Sequence, residues 1–249
     1  MKRPGLTMRT LLICASLGLA GCAATNPEAG FEGMDPYEQT NRDIHDFNLA
    51  ADRNVLRPIS KGYNFVTPTV AQYVIRNSVD FLKLPVYFFN YALQGETQAA
   101  LRTLGRFTVN AVLGAGVLDP ATEFGLPLEK TDFGITLGTW GVESGPYLVL
   151  PFFGPSTRRG VLGIPGDLAL NPLSYTGLFN SDVLNLFSIP LNALDIVDNR
   201  NRNGDLIDEL LYNSPDSYIT LRTVYLQRRQ AMLAGDAAEV DALPDIFDE

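Results

Sequence analysis

The sequence predicts a mainly α-helical protein, and three observations carry that prediction. Through most of the chain after residue 35, apolar residues recur at three- and four-residue steps, the spacing that lays one stripe along a helix. Rows of alternating ten-residue strands, the mark of a membrane β-barrel, are missing from the sequence. Beyond the first 21 residues no segment approaches the ~20 apolar residues that one membrane-crossing helix needs. A membrane-bound form must therefore be a compact helical body lying in one leaflet, its backbone polar groups satisfied internally.

Composition narrows the function. The chain has 249 residues, 46% hydrophobic and 19% charged, which suits one large folded domain or two small ones and not a disordered chain. Its 19 basic and 28 acidic residues give a formal net charge of −9. That balance argues against nucleic acid as a partner and against attachment to an anionic membrane surface by bulk charge. Any membrane attachment must be hydrophobic or covalent. The only histidine is His45, which removes most hydrolase triads and multi-histidine metal sites. No metal, no cofactor and no enzymatic activity are expected.

The first 21 residues read as a secretory leader. Lys2, Arg3 and Arg9 form a basic start, and the apolar run Leu11 to Ala20 is too short to span a bilayer. The leader ends in Leu19-Ala20-Gly21-Cys22, which resembles the lipobox of bacterial lipoproteins. The resemblance implies cleavage before Cys22 and acylation there, and acyl chains anchor by about 0.8 kcal/mol per buried methylene. Cleavage leaves one cysteine, so an intramolecular disulfide is impossible. Ala23 in place of Asp favours, by analogy with lipoprotein sorting, the outer over the inner membrane. Residues 22–34 form the acylated cysteine and a tether, 35–233 the helical domain, and 234–249 an acidic tail with no basic residue, expected to be disordered. Its Leu243 to Phe247 end is an alternative docking segment for a periplasmic partner.

The first helix opens at Asp35-Pro36, Asp35 suiting an N-cap and Pro36 the first helical position. Tyr37, Ile44, Phe47, Ala51 and Val55 form its apolar stripe, and His45 beside Asp46 reads as part of a solvated face. A second helix follows Thr67-Pro68, interrupted at Pro85. The run Val86 to Leu93 is apolar nearly all round and fits either a central buried helix or a helix in the bilayer interface. A third helix spans Glu96 to about Leu113 and ends at Gly114-Ala115-Gly116.

The central segment, Gly138 to Pro155, is very apolar and aromatic, and its glycines and prolines exclude a regular helix. It reads either as a buried strand or as a rigid apolar loop inserted in lipid. Arg158-Arg159 then form a surface pair or a head-group contact, with guanidinium forks on phosphate. Gly160 to Asp167 is short and broken by Pro165. Asn180 to Asp198 reads as a helix kinked at Pro190, Leu206 to Tyr212 as one short helix. The last helix follows Ser214-Pro215-Asp216, with Tyr218, Leu221, Tyr225 and Met232 in register.

Several motifs share one resemblance. Asp35-Pro36, Asn41-Arg42 and Phe47-Asn48 open the series. Arg76-Asn77, Asn90, Leu93-Gln94-Gly95, Arg106-Phe107 and Asn110 continue it. Phe133-Gly134, Thr136-Leu137-Gly138, Gly145-Pro146-Tyr147, Leu150-Pro151 and Gly154, then Asp216, Tyr218, Arg222, Tyr225 and Arg228, complete it. From Asp35 to Arg229 the chain resembles the MlaA/VacJ family of outer-membrane lipoproteins. Three places depart from that pattern: Phe81 stands where an Asn is expected, the Gly114–Gly116 turn is one residue short, and Arg159 replaces an acidic residue.

The resemblance implies a ring-like bundle of amphipathic helices in the inner leaflet of the outer membrane of a Gram-negative bacterium, at its periplasmic face. The ring encloses an amphipathic channel through which misplaced outer-leaflet phospholipids pass inward to a soluble periplasmic carrier, preserving lipid asymmetry. Trimeric porins are the implied membrane partners. Position on the matching motifs puts Phe47, Asn48, Leu49, Tyr147, Leu150, Phe152 and Phe153 on the lipid path, with Arg106 and Asn110 facing the channel. A structural lipoprotein that scaffolds porins is the alternative. A phospholipase is disfavoured, because Ser144 lacks the nucleophile-elbow spacing.

Overall fold

The structure, a computed structural model, describes residues 35–172, 193–235, 240 and 243. The leader, Cys22, the tether, most of the expected Asn180–Asp198 helix and nearly all of the acidic tail lie outside the described residues. Helix dominates the rest. The order is α1 (Glu38–Ala51), α2 (Arg57–Val66), α3 (Thr69–Gln94), α4 (Thr97–Val112), α5 (Pro120–Glu123) and α6 (Phe133–Thr139). A hairpin of β1 (Tyr147–Leu150) and β2 (Gly154–Thr157) follows, then α7 (Arg158–Leu170), α8 (residues 193–202), α9 (Gly204–Asp208) and α10 (Ser217–Ala234).

Several elements differ from expectation. Asp35 is not a cap: α1 starts at Glu38 without a side-chain cap, and Asp35 is a buried carboxylate. A widened turn, Asp52–Leu56, carries α1 into α2 directly ahead of Pro58, whose ring would otherwise press on the preceding turn. Pro85 does not interrupt α3, which runs 26 residues through it to Gly95 at φ +81°. One lost helical bond there is outweighed by burial of Leu84, Val86 and Tyr87 around it. Pro165 likewise lies inside α7. The segment expected as one helix over Leu206–Tyr212 is split into α9 and a wide turn, Glu209–Asn213.

The hairpin sits where α1 and α10 meet. Strands β1 and β2 pair antiparallel, Tyr147 opposite Thr157 and Leu150 opposite Gly154. Tyr147 and Val149 point inward and join Tyr218, Tyr225 and Leu226 of α10 in one buried cluster, with Ile44 of α1 packed against it. Beneath it α6 and α7 cross closely: a Cβ on Gly163 would lie 2.5 Å from the Gly134 amide nitrogen, and one on Gly166 would strike the Phe133 ring. Only glycine allows that approach.

Candidate functional site

Two asparagines of α1 hold the hairpin. Among the described residues the sheet has two strands and one edge of β1 lacks a strand partner, and side-chain amides take that place. Asn41 donates from Nδ2 to the Tyr147 carbonyl (3.1 Å) and accepts from the Val149 amide (2.9 Å). Asn48, two turns on, donates to the Leu150 carbonyl (2.9 Å) and accepts from the Phe152 amide (2.8 Å). Each amide group thus imitates a strand neighbour at two points. Asn41 also donates to Asp35 (2.8 Å), whose other oxygen accepts from Tyr218 Oη and from Arg222 (2.8 Å). The start of the domain, the hairpin and α10 are thereby locked together.

The hairpin tip points outward. Phe152 and Phe153 are 76% and 81% exposed, and Phe152 stands at φ +69°, rare for a bulky side chain. Phe47, itself about half exposed, meets Phe152 edge-on with ring centroids 5.1 Å apart. Phe47, Asn48, Phe152 and Phe153 therefore come together in one place, with Leu150 half-buried at its base. Tyr147 is separated from them in the core, and Leu49 is half-buried.

Helix polarity is inverted around this site. On α1 the buried positions are Asn41, His45 and, just beyond its end, Asp52, whereas Tyr37, Phe47 and Val55 face out. His45 is accordingly not part of a solvated face. It is buried against Ser217 Oγ (2.8 Å) and edge-on to Tyr218, and desolvation lowers its pKa. On α4, Thr103, Arg106 and Asn110 are buried while Leu101, Leu104 and Val112 are exposed. Val70, Tyr73 and Phe89 of α3 and Leu162, Ile164 and Leu168 of α7 are exposed as well. In water, polar stripes face out and apolar stripes in. This chain carries much of the reverse.

The buried polar groups are used by one another. Arg106 pairs with Asp119 (2.5 Å) and bonds Thr122, and Asn110 spans Asp119 (2.9 Å) and the Ala121 amide (3.0 Å). Both thus brace the α4–α5 turn, apart from the hairpin. Phe81, in place of the expected Asn, stacks on Phe107 at 4.9 Å and fills the space over Gly116. Arg200 is clamped by Asp52 (2.7 Å) and Asp208 (2.6 Å). The arginine pair is divided. Arg158 is exposed at the start of α7, but Arg159 is buried, donates to the Val142 carbonyl (2.9 Å) and has its pKa lowered by desolvation and by Arg229. A surface pair, and a head group held by both guanidiniums, are excluded by that burial.

One interior carboxylate is costly at neutral pH. Burial, with Asp132 nearby, pushes Asp167 up to about 6 from 3.8, although the Phe133 amide (2.9 Å) and Asn90 (2.7 Å) donate to it. A raised acid pKa favours the folded state fully below about 3.8, and that advantage is lost as pH rises through 6. Asp167→Asn keeps an acceptor oxygen for both donors. It is expected to raise stability at pH 7.5 by about 1–2 kcal/mol, with the gain fading between pH 6 and pH 4. Thermal unfolding across that range checks it.

Comparison with known proteins places this architecture. The family model described as MlaA lipoprotein matches residues 33–232. The chain belongs to the MlaA lipoprotein family. The Intermembrane phospholipid transport system lipoprotein MlaA of Haemophilus influenzae is 34% identical over 230 residues, covering 90% of this chain and 89% of that protein. The protein of the same name from Escherichia coli K12 is 32% identical over 240 residues, covering 92% and 90%. A solved chain from the work "Structural basis for maintenance of bacterial outer membrane lipid asymmetry" superposes with a TM-score of 0.70 at 32% identity, covering 80% of this chain and 98% of that one. The expected family is therefore correct. The resemblance marks Asp35 and Asp52 as motif positions but carries no sign that they are buried, and it does not mark His45. The signal for the burial of His45 and Asp52 is the polar stripe Asn41, His45, Asn48 and Asp52 at helical spacing.

Proposed function

We propose that this MlaA-family chain is an outer-membrane lipoprotein, acylated at Cys22, that removes misplaced phospholipids from the outer leaflet. In this reading its helices lie in the inner leaflet at the periplasmic face and enclose an amphipathic channel beside a trimeric porin. Lipids descend through the channel to a soluble periplasmic carrier. The protein is a conduit, without catalysis or a cofactor.

The inverted polarity of the helices carries the reading. Among the described residues no helix is long and apolar enough to cross a membrane, yet large apolar groups are exposed from α1 through α7. Each such side chain gains about 1.5–3 kcal/mol when removed from water, so a lipid surround offsets an arrangement that water would penalise. The buried polar clusters meanwhile pair most of their groups with one another, which a low-dielectric surround favours. The names of the two MlaA relatives support the cargo.

Deleting the gene is expected to raise surface-exposed phospholipid and detergent sensitivity with porin assembly unchanged. Unchanged phospholipid distribution would overturn the transport reading and favour a porin scaffold. Photoreactive residues placed singly at Phe47, Phe152 and Phe153 are expected to crosslink phospholipid in intact cells.

A further inference from the structure

We propose that Arg76 of α3 and Arg202 of α8 form a binding site for the phosphodiester of a phospholipid head group, at the turn between α2 and α3. A recess of about 120 Å³ opens there, lined by Thr69, Gln72, Tyr73, Arg76, Asp198 and Arg202. It has room for a compact polar group and none for an acyl chain.

Charge selects the occupant. Asp198 is buried, and its two oxygens are spent on Tyr63 Oη (3.0 Å) and Arg202 Nε (2.8 Å). Asp198 thus orients Arg202 and leaves the terminal nitrogens of that guanidinium for a ligand. The Arg76 guanidinium carbon lies over the Tyr73 ring, 4.7 Å from its centroid, and has no carboxylate partner among the described residues. Two guanidiniums against one carboxylate leave the recess cationic, and guanidinium forks match phosphate oxygens. Residues around the same turn distinguish a lipid from a free anion. Phe65, Val66 and Val70 are 91%, 72% and 75% exposed, an apolar rim for the part of an amphiphile that the recess cannot admit. This site rests on the transport reading for its cargo, and it supplies the head-group contact that buried Arg159 cannot.

The test uses the full-length acylated protein in detergent. Binding of dihexanoyl phosphatidylglycerol is measured against inorganic phosphate and against dihexanoylglycerol, which lacks the phosphate. The short-chain phospholipid is expected to bind best, and Arg76→Gln and Arg202→Gln each to weaken it about tenfold. Lys61→Gln, an exposed charge change on α2, is expected to leave it unchanged. Undiminished binding in the double variant overturns the site. Inorganic phosphate binding as tightly as the lipid overturns the head-group assignment.

Should the double variant fold poorly, a benzophenone side chain at Val70 keeps both arginines. It is expected to crosslink labelled phospholipid, with dihexanoyl phosphatidylglycerol competing, and no crosslink overturns the proposal. These readouts do not depend on transport. A site that fails them in a protein whose deletion still raises surface phospholipid fails alone.

Discussion

Replacing Asn41 by alanine is expected to cost about 3–4 kcal/mol and to lower the thermal midpoint by roughly 10 °C. The side chain is 2% exposed and makes three hydrogen bonds, to Asp35, the Tyr147 carbonyl and the Val149 amide. Truncation leaves two backbone groups of a buried strand without partners, and each unsatisfied group costs about 1–3 kcal/mol. Asn41→Asp is expected to be worse than alanine, since it loses both donors and sets a second carboxylate 2.8 Å from Asp35. Asn48→Ala should cost less, about 1–2 kcal/mol, because the Phe152 amide it serves is in reach of water. Thermal unfolding in detergent ranks the three. An Asn41→Ala midpoint equal to that of Asn48→Ala would show that water reaches the strand edge, and the amide splint would lose its importance.

These asparagines show what the sequence could and could not convey. Periodicity located α1, α4 and α10, because a stripe at three- and four-residue steps survives whichever way the helix faces. It could not say which stripe faces inward. On α1 the apolar set and the polar set Asn41, His45, Asn48, Asp52 are equally regular, and the choice between them is set by the surrounding medium and by partners more than a hundred residues away. Local sequence therefore puts His45 on a solvated face and Asp35 at an N-cap, whereas the partners that bury them, Ser217 for His45 and Tyr218 and Arg222 for Asp35, belong to α10.

Proline is a local signal too, and packing overrides it here. Pro85 and Pro165 each remove one helical bond, but neighbours packed on α3 and α7 hold both helices through it. At the hairpin, Tyr147–Leu150 is apolar at every position, so nothing in the sequence marks which side chains turn inward. The glycines and prolines around it excluded helix, but they could not separate the buried strand from the exposed tip. Both readings of that segment describe part of it: Tyr147 and Val149 are core, and Phe152 and Phe153 are not.

Phe152→Asp is expected to abolish function while leaving the fold intact. The native residue is held at φ +69°, a conformation that costs a bulky side chain energy and that aspartate tolerates better. Stability alone would place Asn, Asp or Gly there, so the aromatic ring has to be retained for something its exposure permits. Against the fold, the variant loses one edge-on contact with Phe47, about 1 kcal/mol, and regains part of it through relaxed backbone strain. Its thermal midpoint in detergent should stay within a few degrees of the parent. Against a lipid surround the balance differs, because a carboxylate at hydrocarbon depth costs about 2.5–3.5 kcal/mol. Cells carrying Phe152→Asp are therefore expected to match a deletion strain in surface-exposed phospholipid, scored by susceptibility to added phospholipase. Phe152→Tyr, which keeps the ring, should restore the parental level. Normal phospholipid distribution in the aspartate variant would remove the hairpin tip from the lipid path and leave it a surface loop with an unexplained strain.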